Sequence, residues 1–200
     1  RQGKIALWAG RAKARLCLLR YIYTGGRMKA LYLLVLFVLS NTVVAESLQS
    51  IEALNGKLFI EVPKNFNRMS IELVELKYPS SRRPSDVLSD ETGGITLAFN
   101  HTQTPILPSQ IREAHGAISK MFHNLYPSAK WYRDEVIRQN GNDFLVMELI
   151  TPAIDAQIHN IFYGTSVDDR LLLVAFNATV EQAPKWLPIG QEIMRSIEVK

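Results

Sequence analysis

Phe144-Leu145-Val146-Met147 and Leu171-Leu172-Leu173-Val174-Ala175-Phe176 decide the fold. Both stretches are apolar at every position rather than at alternate ones. A strand with one wet face alternates, whereas a strand apolar on both faces needs cover on both. Asn140-Gly141 stands between residues 131–138 and 144–150 and supplies the positive φ angles of a tight hairpin. Residues 157–165 and 170–178 form another hairpin through Ser166-Val167-Asp168-Asp169. Tight hairpins make neighbouring strands antiparallel, so the cover must come from elsewhere in the chain.

Helices supply it. Ile111, Ala114, Ile118, Met121, Phe122 and Leu125 recur at three- and four-residue spacing, which predicts a helix capped by Ser109 and stopped by Pro127. Ser70 caps a shorter one over residues 71–78, ended by Pro79. Thr179 with Gln182 resembles a capping box ahead of a last helix running to about Ile197, with Trp186, Ile189 and Ile193 on one face and a bend at Pro188. Asn55-Gly56 predicts a first hairpin between residues 48–54 and 57–62, and residues 86–89 and 95–100 read as two further strands. The class is therefore α+β, a mostly antiparallel β-sheet flanked by helices.

The segment Leu54-Asn55-Gly56-Lys57-Leu58-Phe59-Ile60-Glu61-Val62-Pro63-Lys64-Asn65-Phe66, a hairpin leading to Pro-x-x-Phe, resembles the opening of PsbP-like domains, including the DcrB-like bacterial envelope proteins. The order that follows is similar: long helix, hairpins, and a closing helix ending Ile193-Met194-Arg195-Ser196-Ile197. The resemblance implies an α/β/α sandwich and a mostly non-catalytic style of function. Plant members dock on photosystem II, a eukaryotic relative binds a small GTPase, and some bacterial relatives are chaperones for secreted effectors. No functional residue carries over from the family, since the shared signals are turns and packing positions.

The charge is unevenly placed. Eight of the 23 basic residues and none of the 19 acidic ones precede Glu46, so residues 46–200 hold 15 basic against 19 acidic side chains, a net charge of −4. A domain of that balance has no cationic footprint for nucleic acid. Lys29, the apolar run of residues 30–39, then Ser40-Asn41-Thr42 and Val43-Val44-Ala45 follow the basic, apolar, small-residue order of a secretory signal. Residues 28–45 are expected to be that signal. They are too short and too polar for an anchor, so no membrane span is expected after cleavage. Residues 1–27 read as an over-extended N-terminus with Met28 as the true start; a peptide from them in the cellular protein would contradict this. Residues 46–200 are then one periplasmic or secreted domain. Cys17 lies in the leader, which leaves the domain without a disulfide, a thiolate metal site or a cysteine nucleophile.

Chemistry is sparse. His115 and His123 lie eight residues apart on one helix, about two turns and ~80° apart, so they are not expected to share an ion, and no metal or cofactor is expected. Asp134-Glu135 are strand neighbours pointing to opposite faces, a poor dyad. No nucleophile elbow, phosphate loop, His-Glu-x-x-His or calcium loop is present. Asn100-His101-Thr102 and Asn177-Ala178-Thr179 spell glycosylation triplets, which the bacterial-type context makes accidental. Two loops could recognise a partner: residues 77–84, with Tyr78, Arg82 and Arg83, and residues 151–159, with Asp155 and His159. Trp131, Tyr132, Phe162, Tyr163 and Trp186 serve as core or line a pocket. The leading expectation is an exported, non-enzymatic binding or assembly module of the envelope acting on a protein partner. The alternatives are a carrier or sensor with a small-ligand pocket between sheet and helices, and a hydrolase using His115 or His159 with a carboxylate.

Overall fold

The computed structural model describes residues 47–79, 83–153 and 156–200, so the signal expected over residues 28–45 and the start expected at Met28 lie outside the described residues. The described residues open with β1 (Leu48–Ala53), β2 (Leu58–Pro63), β3 (Asn67–Arg68), α1 (Ile71–Lys77), β4 (Asp86–Ser89) and β5 (Thr96–Pro105). A 3-10 turn at Pro108–Gln110 leads into α2 (Ile111–Leu125). Then come β6 (Lys130–Gln139), β7 (Asn142–Pro152), β8 (Gln157–Val167), β9 (Arg170–Thr179), α3 (Ala183–Arg195) and β10 (Glu198–Val199). The larger sheet is antiparallel throughout, in the order β3-β4-β5-β9-β8-β7-β6. The α+β class is as the sequence predicts.

The hairpin signals act where expected. Asn140 and Gly141 sit at φ 48° and 81°, and Asp168 and Asp169 at 51° and 55°, the left-handed pairs that let two residues reverse a twisted ribbon. Pairing then places alternate side chains on opposite faces. Leu172, Val174 and Phe176 of β9 enter the main core with Trp186, Ile193 and Met194 of α3 and Ile60 and Val62 of β2. Leu171, Leu173 and Ala175 face the other way. There α2 lays Ile118 and Phe122 on Leu145, Met147 and Leu149, while Val74 and Tyr78 pack against Val87 and Ala98. Both faces of β7 and β9 are covered, as their composition requires.

Four details depart from the sequence reading. The first hairpin belongs to a separate three-stranded sheet, β1-β2-β10, which helps α3 close the main core. β5 runs on past Asn100 to Pro105, because its polar end still pairs with β9 as far as Arg170, across an irregular register after His101. The N-cap of α2 is Gln110 rather than Ser109: the chain enters through the 3-10 turn, and Gln110 Oε1 accepts the Leu107 N–H at 2.8 Å. Thr179 and Gln182 do bond each other, at 3.1 and 3.3 Å, but one turn ahead of α3.

α3 approaches β9 most closely at Gly190, where an added Cβ would lie 2.4 Å from the ring of Phe176, a fully buried side chain with nowhere to move. Gly190→Ala is therefore expected to destabilise the fold by about 1–3 kcal/mol in urea unfolding, despite its better helix propensity. Gly116→Ala on α2, where nothing lies within 4 Å of the new Cβ, should stabilise by about 0.5–1 kcal/mol. Equal effects would contradict the packing assigned to α3.

Candidate functional site

The second face of the larger sheet is covered by two helices that do not meet. In the row where they part, Ala98 lies opposite Ala175, which lies opposite Phe162. Two alanines side by side cannot fill the depth that larger residues fill elsewhere on this face. The result is a groove of about 620 Å³. Its walls are Lys77 and Tyr78 from α1 and its C-cap, and Phe122 and Tyr126 from the far end of α2. The T-shaped pair Phe122–Phe162, with centroids 5.1 Å apart, fixes the α2 wall.

The neighbouring row is polar. Thr96, Asn177 and Asn160 lie directly opposite one another on three adjacent strands. Asn177 donates to Thr96 Oγ1 at 3.1 Å, and Asn160 donates to Thr151 Oγ1 and to the Ile158 carbonyl at 3.1 and 2.9 Å. Asn160 thus spends its amide N–H groups inside the sheet and Asn177 one of its two, and both amide carbonyl oxygens are left as acceptors on groove-lining side chains. The Tyr78 hydroxyl lies 3.4 Å from Thr96 Oγ1 and ties the α1 wall to this row.

α1 itself is lightly held. It has no buried residue, and Ile71, Leu73 and Leu76 are 73%, 49% and 77% exposed. Ser70 caps it, Lys77 bonds the Gly93 carbonyl, and Arg83 pairs with Glu75. On its other side lies a second groove, of about 740 Å³, lined by Met69, Ile71, Val74 and Arg83 among others. α1 is therefore a ridge between two hollows.

α2 is held in a different way. His115, Ser119 and His123 recur every four residues along one stripe, and all three converge on Asp134 of β6. The distances to its two oxygens are 2.8, 2.6 and 3.1 Å. The ring of His123 also stacks on Trp131, centroids 3.9 Å apart. Although eight residues apart, the two histidines meet on one carboxylate. Among the described residues no group of three His, Cys, Asp or Glu side chains could hold a metal. The Ser119 hydroxyl gives its hydrogen to the carboxylate rather than to an imidazole, so it is not in a serine–histidine pairing here. The cluster works as a clamp.

Of the residues singled out in the two loops, Tyr78 lines the sheet groove and Arg83 the neighbouring one. Arg82 and Asp155 lie outside the described residues. His159 is not on the surface: it is 5% exposed inside β8, on the face opposite the groove, with Nε2 2.8 Å from the buried Glu148 and Tyr132 stacked on it. Both His–carboxylate pairs are within bonding reach, but neither lines either groove beside α1. Trp186 and Tyr163 fill the core, while Phe162 lines the groove. Asn100, Asn160 and Asn177 were the available sequence signal, amides placed in strands otherwise apolar.

Comparison with solved structures places the architecture. The chain superimposes on cyanobacterial PsbP (CyanoP) from Synechocystis sp. PCC 6803 with a TM-score of 0.56 at 13% identity, covering 80% of this chain and 96% of that one. The fold is PsbP-like. Weaker likenesses to LpqN of Mycobacterium tuberculosis (TM-score 0.46, 10% identity, 77% and 91% covered) and the Saccharomyces cerevisiae Ran-binding protein Mog1p (0.44, 11%, 78% and 96%) accompany it. The sequence matches no family model and no curated protein. Among the described residues of this PsbP-like domain, no helix is long and apolar enough to cross a membrane.

The clamp gives a pH-dependent prediction. Burial pushes the Asp134 carboxyl up, but hydrogen bonds from Ser119, His123 and His115 outweigh it and hold the group below the usual carboxylate range. A depressed carboxyl stabilises the fold fully above its unfolded value, about 3.9, and the gain disappears as pH falls through the folded value. Asp134→Ala should cost about 1–2 kcal/mol in urea unfolding at neutral pH, and the gap to wild type should close at strongly acidic pH. A gap that persists undiminished in acid would show that the carboxylate charge is not what holds α2.

Proposed function

We propose that the chain is an exported, non-catalytic binding module of the bacterial envelope that acts on a protein partner. In this reading residues 28–45 are removed on export, and residues 46–200 work in the periplasm or outside the cell. The partner rests on α1 and reaches into the groove beside it. The observation that carries this is the exposed apolar flank of α1. Single surface leucines are ordinary, but Leu73 and Leu76, three residues apart on one side of a seven-residue helix whose Ile71 lines the hollow on another side, leave that helix apolar and uncovered in the way of surfaces that proteins cover with one another. The acceptor oxygens of Asn160 and Asn177 suit the N–H groups of a partner's backbone, and Tyr78, Tyr126 and Phe162 offer rigid aromatic contact area at small entropic cost.

A second reading, a small-ligand carrier or sensor, is favoured by the groove volume alone. About 620 Å³ lies within the usual range for such sites, with a few polar groups converging among aromatic walls. A small ligand gives no role to the outer face of α1.

One experiment separates the two. The chain is expressed from Met28 with a photo-crosslinking residue in place of Leu76, or of Tyr132 on the other face of the sheet. The expected outcome is one discrete protein adduct from Leu76, lost when Ala175→Leu fills the groove, and none from Tyr132. No adduct from Leu76, or the same adducts from both positions, contradicts the proposal. A small-molecule mass retained in native mass spectrometry and lost in Ala175→Leu, without a protein adduct, selects the second reading.

A further inference from the structure

The larger sheet ends at β6, ten residues long, and among the described residues nothing pairs with its outer edge. The two-residue turn at Asn140-Gly141 makes Gln139 and Asn142 a hydrogen-bonded pair, and the pattern alternates from there. Gln139, Ile137, Glu135 and Arg133 therefore spend their backbone groups on β7. The N–H and C=O groups of Asp134, Val136 and Arg138 point outward. The register is regular over this stretch, since the irregularity of β6 lies between Trp131 and Arg133. Asp134 is an exposed residue although its side chain is only 24% exposed, so much of what solvent reaches there is backbone.

An edge of this length is a template for another strand, and folds usually blunt it with proline, a bulge or unmatched charge. Residues 133–139 contain no proline or glycine. Their charges, Arg133, Asp134, Glu135 and Arg138, cancel, whereas residues 46–200 as a whole carry −4. The order of charges is also self-complementary. Asp134 and Arg138 stand two residues either side of Val136, on one face of the sheet. Laid antiparallel against itself about Val136, this edge sets Asp134 opposite Arg138 twice and Val136 opposite Val136. Unlike charges directly opposite stabilise a pair of strands, and like charges oppose it. Other registers lose the match. Two residues one way sets Glu135 against Glu135, and two the other way leaves Asp134 opposite the turn at Asn140.

Both members of the charge pair are ready for it. Three hydrogen bonds from His115, Ser119 and His123 fix Asp134, and a carboxylate accepts about four, so one acceptor position remains. The Arg138 side chain is 66% exposed and reaches Asp143 only at 3.3 Å, where Arg112 already holds that carboxylate at 2.7 Å. α2 does not stand in the way, because Ile118 and Phe122 seat it on β7 and β8 rather than over the edge.

We propose that the protein forms a symmetric dimer through β6, the edges of two copies pairing antiparallel about Val136. The two seven-stranded sheets then become one. α1, which packs on β4 and β5 toward the other end of the sheet, stays uncovered in both copies. Tyr132 leans inward over His159, away from the edge, and takes no part.

Sedimentation velocity of the purified protein expressed from Met28, over about 1–100 µM, tests this. A monomer–dimer equilibrium is expected. Val136→Pro removes an outward N–H that the monomer does not use, so it should abolish the dimer and leave far-UV circular dichroism unchanged. Arg138→Ala should weaken the dimer about tenfold, as a symmetric interface loses two charge pairs, with a melting temperature close to wild type. Val136→Cys, the only cysteine in a chain begun at Met28, should oxidise to a disulfide-linked dimer, because the opposed Cα atoms lie about 5.5 Å apart. A monomer throughout that concentration range, or a dimer indifferent to Val136→Pro and Arg138→Ala, overturns the proposal. So does a Val136→Cys variant that links to a different protein instead of a second copy.

Discussion

The structure depends on one constraint: β7 and β9 are apolar on both faces, so the sheet that contains them cannot leave either face in water. One face carries the main core. α3 and the small sheet fit against it closely enough that Gly190 has no room for a methyl group. The other face is closed by two separate helices, and the sheet accommodates the gap between them with small and polar side chains. Ala98, Ala175, Thr96, Asn160 and Asn177 stand where continuous cover would have demanded leucine or valine. The groove is thus a consequence of how the second face is shared.

The two walls of that groove differ in how they are fastened. α2 is fixed by apolar contact through Phe122 and by the clamp on Asp134, so the wall formed by Phe122 and Tyr126 is firm. α1 buries no residue and is held by a cap, two bonds from its C-terminal end and an exposed ion pair, interactions individually worth little in water. Elements of low local stability are where binding surfaces are usually found. A firm wall with a lightly held ridge beside it gives a partner a fixed reference and a part that can adjust.

Much of the fold was legible because it rests on local rules. Asn-Gly at 140–141 and the apolar period of residues 111–125 each point to one structure. The two-residue strands β3 and β10 carry no periodicity, and the polar end of β5 reads as loop although its backbone still pairs with β9. The site was less legible for the same reason. Tyr78 drew notice for its basic neighbours, whereas its position follows from closing α1 against Thr96. Asn160 and Asn177 lie 17 positions apart and become one polar row only through the β8–β9 register. His115 and His123 look divergent on a helical wheel, yet Asp134 sits opposite the residue between them and each reaches one of its oxygens.

The central claim is that the face carrying α1 is covered by a protein in the cell. Amide hydrogen exchange, compared between protein recovered gently with its envelope fraction and purified protein, tests it most directly. The account predicts slower exchange across α1 and the C-terminal turn of α2 in the envelope fraction, with the turn at Asn140-Gly141 unchanged. Identical exchange in α1, or protection confined to the α3 side, would contradict it.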